Sequence, residues 1–282
     1  MTDFTEIADR IWVARYPWFD VNVGLIGGSE GLVVVDTNAS AALGAEVVAA
    51  VRRISAAPIL AAVNTHVHFD HTFGNAALAA AGAELVAHED AAAALPAHAA
   101  EIRAEAAGNA DEQDLLVGEI AVPTRTFSSA LALDLGDRAV ELIHPGRGHT
   151  AGDLIVKVPD ADVVFAGDLV EESVARAGVP GYGADCYPMD WPSSLDLVLS
   201  LTGTGTRIVP GHGAVVDQDF VHEQRSAIGV VAETIRDLAG RGVPVEQAIE
   251  VGDWPYPREE MADAVRRGYE QLPAVRRQLP LI

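Results

Sequence analysis

Thr65-His66-Val67-His68-Phe69-Asp70-His71 follows directly on an apolar run, Ile59 to Val63, and no other stretch limits the possible folds as much. Three imidazoles and a carboxylate within six residues make a dense set of neutral nitrogen and anionic oxygen donors. That combination suits zinc, iron or manganese and does not suit calcium or magnesium alone. Side chains alternate at the end of a strand, so residues 66, 68 and 70 are expected to point one way and His71 another. One loop then serves two adjacent metals. A merely solvated histidine-rich loop fits less well, because the cluster is internal, follows a buried-looking strand and has partners downstream. Those partners are His149 in Gly148-His149-Thr150, Asp168 in Gly167-Asp168, and His212 in Gly211-His212-Gly213. Each stands just beyond a predicted strand or in a loop beside one, with glycines that let backbone come close to a site.

The rest of the chain supplies a scaffold of mixed strands and helices. Val21 to Ile26 and Leu32 to Asp36, joined by a glycine-containing turn, read as a hairpin. Leu43, Val47, Val51 and Ile54 then recur at helical spacing behind Ser40, a candidate N-cap, which predicts a helix over 40–54. Strand Ile59 to Val63, a helix near 75–81, strand Glu84 to Ala87 and an alanine-rich helix over 89–107 continue the alternation. Strands follow at 131–135, 140–143, 154–158 and 163–165. Residues 171–192, with three prolines, three glycines and Tyr182, Tyr187 and Trp191, are too irregular for one element and long enough to work as a functional loop. A helix over 193–201 and a strand over 207–209 come next. The remainder is helical, with one apolar face marked by Ile228, Val231, Ile235 and Leu238 and another by Met261, Val265 and Tyr269. No linker and no repeat is visible, so a single α/β domain over 1–282 is expected, with 216–282 a helical extension packed on it.

Nineteen basic residues against 41 acidic ones give a formal charge of -22, and Lys157 is the only lysine. Such a surface repels phosphate backbones, so nucleic acid and anionic membrane are not expected partners. The lone Cys186 excludes an intrachain disulfide and any four-cysteine zinc site, and fits a reducing compartment. Met1 to Val13 carries Asp3, Glu6 and Asp9 without a basic stretch and apolar run, so no secretory signal is expected and the protein is read as cytoplasmic. No apolar run is long enough for a membrane span.

The order His-x-His-x-Asp-His, Gly-His-Thr, Gly-Asp, Gly-His-Gly resembles that of the metallo-β-lactamase-fold hydrolase superfamily, over roughly residues 10–215. The resemblance implies an αββα four-layer sandwich with the metals in a cleft at one edge of the two sheets. It puts one metal on His66, His68 and His149, a second on Asp70, His71 and His212, and Asp168 between them. It also makes Asp36, at the end of Val33-Val34-Val35, a support for the metal loop; as a bare residue Asp36 equally suits a cap for the helix over 40–54. Two zinc ions, or alternatively iron or manganese, then share a bridging hydroxide. Metal binding lowers the pKa of such a water from 15.7 towards about 7, and the second ion stabilises charge on the attacked carbonyl oxygen.

Within that superfamily the zinc β-lactamases usually have cysteine or serine where this chain has Asp168, whereas glyoxalase II-like thioesterases and lactonases have the bridging aspartate. The expected reaction is therefore hydrolysis of a small thioester, lactone or related ester or amide. β-Lactam hydrolysis is the secondary option, and glyoxalase II itself is not implied, because 216–282 lacks a basic patch suited to a glutathione thioester. A mononuclear iron persulfide dioxygenase, built on His68, His149 and Asp168, is the other alternative. The nuclease branch does not suit the charge, and the flavodiiron branch needs a flavin domain.

Among lesser candidates, Tyr182 or Tyr187 is expected to donate its hydroxyl to the developing oxyanion. Trp18 and Phe19 either form a flap over the cleft or pack on the sheet. His88, His98, His144 and His222 are read as capping or packing histidines, Arg147 as a turn arginine and Cys186 as a bystander.

Overall fold

A computed structural model describes residues 2–109, 115, 117–174 and 178–272. Seven strands form the first sheet in sequence order: β1 (Thr5–Ala8), β2 (Ile11–Arg15), β3 (Asn22–Gly27), β4 (Leu32–Val35), β5 (Ile59–Val63), β6 (Glu84–His88) and β7 (Arg125–Phe127). The second sheet has the order β12 (Arg207–His212), β11 (Val163–Glu171), β10 (Ile155–Val158), β9 (Ala139–Ile143) and β8 (Ala130–Asp134). Alternation along β4 explains how the two sheets come together. Val33 and Val35 face an apolar layer shared with Leu142, Val156 and Phe165 of the other sheet. Leu32 and Val34 face the opposite way, onto α1 (Ala41–Ile54) and α3 (Asn75–Ala80) through Val47, Val51 and Leu78.

On the outer face of the second sheet, α5 (Trp191–Ser200), α6 (Gln218–Gly240), α7 (Val245–Val251) and α8 (Ala262–Gln271) close the fourth layer. The expected αββα architecture is therefore the one observed. Ser40 does cap α1, accepting from the Leu43 amide, and Asp217 caps α6 by accepting from Phe220. Ile228, Val231, Ile235 and Leu238 of α6 share one buried cluster with Met261 and Val265, so the C-terminal helices rest on the second sheet. Residues 273–282 of the expected extension lie outside the described residues. Among the described residues no helix is long and apolar enough to cross a membrane.

Three local readings needed correction. β5 ends at Val63, the chain bends through 65–67, and residues 69–72 form a helical turn, α2 (Phe69–Thr72), so strand alternation does not extend through the histidine string. β11 extends to Glu171 and β12 to His212, because each strand carries its polar residues into a layer that stays buried. Helix α5 starts at Trp191 and leaves 172–190 irregular, of which 175–177 lie outside the described residues. Val179, Tyr182 and Cys186 of that segment are buried in the same cluster as α6 and α8. Arg267 and Gln271 of α8 also donate to the Cys186 carbonyl, at 3.1 and 2.9 Å.

Candidate metal centre

The ends of β11 and β12, the turn α2 and the loops beside them bring the histidines and aspartates together at one end of the two sheets. His66 lies in the bend that follows β5 and His68 is extended, while α2 turns Asp70 and His71 away from them; the expected grouping of 66, 68 and 70 on one side is thereby replaced. Ligand atoms of His66, His68, His149 and Asp168 lie within 4.8 Å of one another, as do those of Asp70, His71 and His212. Asp168 reaches both groups, since its Oδ2 is 3.4 Å from His149 Nε2 and 3.1 Å from His212 Nε2. Apart from His68, these residues are at most 5% exposed. Glycines make the approach possible. Gly167, at φ 53°, has room only for hydrogen beside Thr65, and a Cβ on Gly211 would collide with Asp168 Oδ1.

Each histidine commits one ring nitrogen to an acceptor and turns the other inward, which is how protein acceptors set the tautomer of a metal ligand. His71 Nδ1 donates to Asp36 Oδ2 at 2.9 Å, His149 Nδ1 to the Gly181 carbonyl at 2.7 Å, and His212 Nδ1 to the Phe19 carbonyl at 2.6 Å. His68 Nε2 donates to Asp185 Oδ2 at 3.1 Å. Thr65 Oγ1 spends its proton on Asp36 and so accepts from His66 Nδ1 at 3.1 Å. The inward atoms are then His66 Nε2, His68 Nδ1, His71 Nε2, His149 Nε2 and His212 Nε2. His66 Nε2 is buried without a hydrogen-bond partner. His68 Nδ1 faces His149 Nε2 at 2.8 Å and His71 Nε2 faces His212 Nε2 at 3.3 Å, pairings that repel unless a proton or cation lies between them. Nitrogen and carboxylate donors turned inward in this way fit divalent transition metals.

Charge points the same way. Burial opposes a proton on His71, yet Asp168, Asp70 and Asp36 outweigh it and hold the pKa well above the ordinary 6.5. Burial likewise opposes the Asp168 charge, and His212, His71 and His66 outweigh it, so this carboxyl stays anionic far below the usual range. Burial and the neighbouring His71 drive His66 down instead, leaving its nitrogen free of a proton. Asp36 is no helix cap; it also accepts from the Thr65 amide at 2.7 Å and ties β4 to the metal loop.

A cavity of about 730 Å³ opens beside the cluster, lined by His68, His149 and Asp168 together with Phe19, Phe69 and Ile102. Among the described residues no lysine or arginine lines it, and Asp20 and Glu260 do. Phe19 packs at 4.9 Å on Trp18 and edge-on at 5.2 Å on Phe69, so it stands over the cleft while its carbonyl holds His212. Tyr182 lines the cavity; its buried hydroxyl has no hydrogen-bond partner, and burial keeps it protonated well beyond pH 10. Tyr187 does not line it. The Tyr187 amide donates to the Gly148 carbonyl at 2.7 Å, and its ring lies under the Arg147 and Arg267 guanidinium groups, at 4.5 and 5.3 Å.

Arg147 also pairs with Asp190 at 2.6 Å, away from the cavity. His88 caps α4 (Glu89–Ala106) and stacks on His144 at 4.1 Å, both as expected. His98, expected to pack, lines the cavity instead, and burial together with nearby His68 lowers its pKa to about 4. Two acidic residues escaped the sequence reading. Asp185 holds His68, and the buried Glu171 lies with Asp168 and His212 in a third group of potential ligands. Asp185 had no motif around it, and Glu171 became a candidate only because β11 continues past Asp168.

A profile of the Metallo-beta-lactamase superfamily matches residues 16–212. The chain is 27% identical over 197 residues to a metallo-beta-lactamase type 2 of Bacillus cereus, covering 70% of this chain and 68% of that one. It is 27% identical over 208 residues to the acyl-coenzyme A thioesterase MBLAC2 of Bos taurus, covering 68% of this chain and 72% of that one. Of solved structures, a metallo-beta-lactamase from Pontibacter korlensis superposes with a TM-score of 0.64 at 23% identity, covering 81% of this chain and 99% of that one. The metallo-beta-lactamase FIM-1 from Pseudomonas aeruginosa, in its mono-zinc form, gives 0.65 at 20% identity, covering 81% and 95%. At these identities the structural likeness speaks to the fold alone.

Proposed function

The chain belongs to the metallo-beta-lactamase superfamily, and from that premise we propose a metal-dependent hydrolase acting on the carbonyl of a small thioester, lactone or related ester or amide at a dinuclear, zinc-loaded centre. The observation that carries this reading is the inward turn of five histidine nitrogens, each fixed by an acceptor on its other side. His66, His68 and His149 would hold one ion, Asp70, His71 and His212 the other, with Asp168 shared. Ions bound there supply a water made acidic enough to ionise near neutral pH and a Lewis acid for the carbonyl.

The chain's own groups do the rest. Asp36 and Asp185 keep His71 and His68 in the tautomers that present a lone pair. Phe19, Phe69 and Ile102 give the acyl portion an apolar wall that excludes bulk water. The protonated Tyr182 hydroxyl is the donor toward the carbonyl oxygen as charge develops there. Asp20 and Glu260 at the cavity, without a described lysine or arginine, favour an uncharged acyl group over a carboxylate. The thioesterase among the relatives supports the thioester reading. β-Lactam hydrolysis stands second, favoured by the Bacillus cereus relative.

Purified protein should be assayed on thioester, lactone and β-lactam panels before and after chelation. Turnover of a thioester or lactone that chelation abolishes and zinc restores is the expected result. Turnover indifferent to chelation, or oxygen consumption with persulfides in place of hydrolysis, would overturn it.

A further inference from the structure

Residues 16–21 turn the chain from β2 into β3, and they hold a conformation that their side chains disfavour. Phe19 and Asp20 stand in succession at φ 57° and 58°, in the left-handed region that bulky residues avoid. Outliers of this kind persist only where the surrounding structure over-determines them. Here three contacts fix Asp20. Arg15, the last residue of β2, grips its carboxylate with Nε at 2.5 Å and Nη2 at 2.7 Å. Ser173, just beyond β11, donates its hydroxyl to Asp20 Oδ2 at 2.7 Å, and the Gly213 amide, just beyond β12, donates to the Asp20 carbonyl at 3.2 Å. The turn that results aims the Phe19 carbonyl at His212 Nδ1, 2.6 Å away. That contact decides which nitrogen His212 presents to Asp70 and Asp168, at 3.3 and 3.1 Å.

We propose that Arg15 is a positioning residue for the metal held by Asp70, His71 and His212: through Asp20 it keeps Phe19 in the left-handed turn, and the Phe19 carbonyl keeps His212 in place. The inference rests on the two-metal reading and adds to it a residue that does not line the cavity. Exposed ion pairs contribute little to folding, and the Arg15 side chain is 44% exposed, so what this pair contributes is the shape of the turn. His66, His68 and His149 take no support from that turn, because their outer nitrogens go to Thr65, Asp185 and the Gly181 carbonyl. The effect is therefore confined to one of the two ions.

The test measures zinc affinity by competition with a graded series of chelators, which resolves the two ions, on wild type, Arg15→Met, Arg15→Lys and Ser173→Ala. Arg15→Met keeps an apolar stem and removes both contacts to Asp20. It is expected to weaken one ion by about tenfold, the lower end for groups that support a ligand, and to leave the other unchanged. Arg15→Lys, which can make one contact, should restore part of the loss, and Ser173→Ala should weaken the same ion by less. NMR of the zinc-loaded protein adds a readout that a general loss of stability would not single out. The His212 Nδ1 proton should exchange with solvent about tenfold faster in Arg15→Met, the worth of one hydrogen bond, while the His71 Nδ1 proton on Asp36 keeps its wild-type rate. Equal weakening of both ions, unchanged affinity for both, or a His212 proton as protected as in wild type overturns the proposal and leaves the hydrolase reading standing. If wild type binds no zinc, the metal-centre reading fails and this inference falls with it.

Discussion

Asp36 is a non-glycine residue at φ 61°, and its carboxylate accepts from the Thr65 amide, the Thr65 hydroxyl and His71 Nδ1. One side chain thus orients two ligand-bearing positions. In Asp36→Asn one acceptor becomes a donor facing donors, so metal affinity should fall by roughly 10–100-fold. Stability should fall by about 1–3 kcal/mol. Chelator competition and urea unfolding measure the two effects separately. Asp153 gives a pH signature. Buried against the Thr150 amide and hydroxyl, its carboxyl is pushed by burial from 3.8 up to about 7. From about pH 4 to 7 the unfolded chain ionises this group while the folded chain keeps the proton, so folding stability falls as pH rises through that window and levels off above it. Urea midpoints of chelated wild type and Asp153→Asn should therefore converge toward low pH and separate toward pH 7, with the variant gaining; parallel profiles would contradict the assignment. At this scale the histidines were legible because coordination chemistry needs those residue types close together in one string. Asp185 and the carbonyls of Phe19 and Gly181 were not, because a backbone oxygen has no side-chain signature and a lone aspartate gains its role only from the loop that carries it.

Elements place these residues within fractions of an ångström, and Gly211 shows how narrowly. It precedes His212 on β12, and any Cβ there meets the Asp168 carboxylate of neighbouring β11. Gly211→Ala should displace Asp168, weaken metal binding and cost about 1–3 kcal/mol of stability while the fold persists. Equilibrium dialysis with zinc and circular dichroism check this, and full zinc binding by the variant would contradict the packing. Helices α1 and α6 could be read from apolar spacing and caps, since each buries one stripe against a sheet. The three-residue β7 could not, because a short, half-exposed strand shows no alternation. The turn at α2 was also hidden: a run of polar ligands has no apolar period, and its winding is set by the Asp36 and Asn64 contacts to His71, the latter to the His71 carbonyl at 2.9 Å.

For the molecule as a whole, the four layers leave the metal cluster at the common edge of two sheets, so metal binding ties both halves together. Ligand binding to the folded state alone adds about 4 kcal/mol at a thousandfold excess over Kd. Chelation should accordingly lower the melting temperature by several degrees, and calorimetry with and without chelator would show it; an unchanged temperature would contradict an integral site. The layer order was legible because the His-x-His-x-Asp-His string and its glycine-flanked partners come in one sequence order, and because apolar periods switch between two and about 3.6. The link between the C-terminal helices and the loop carrying Asp185 was not, since Arg267 and Gln271 reach the Cys186 carbonyl across more than eighty residues of chain. The dinuclear hydrolytic centre itself is tested most directly by metal content per chain, read by elemental mass spectrometry on protein purified without added metal. Two zinc ions per chain are predicted. A single iron per chain, or no bound metal, would contradict it.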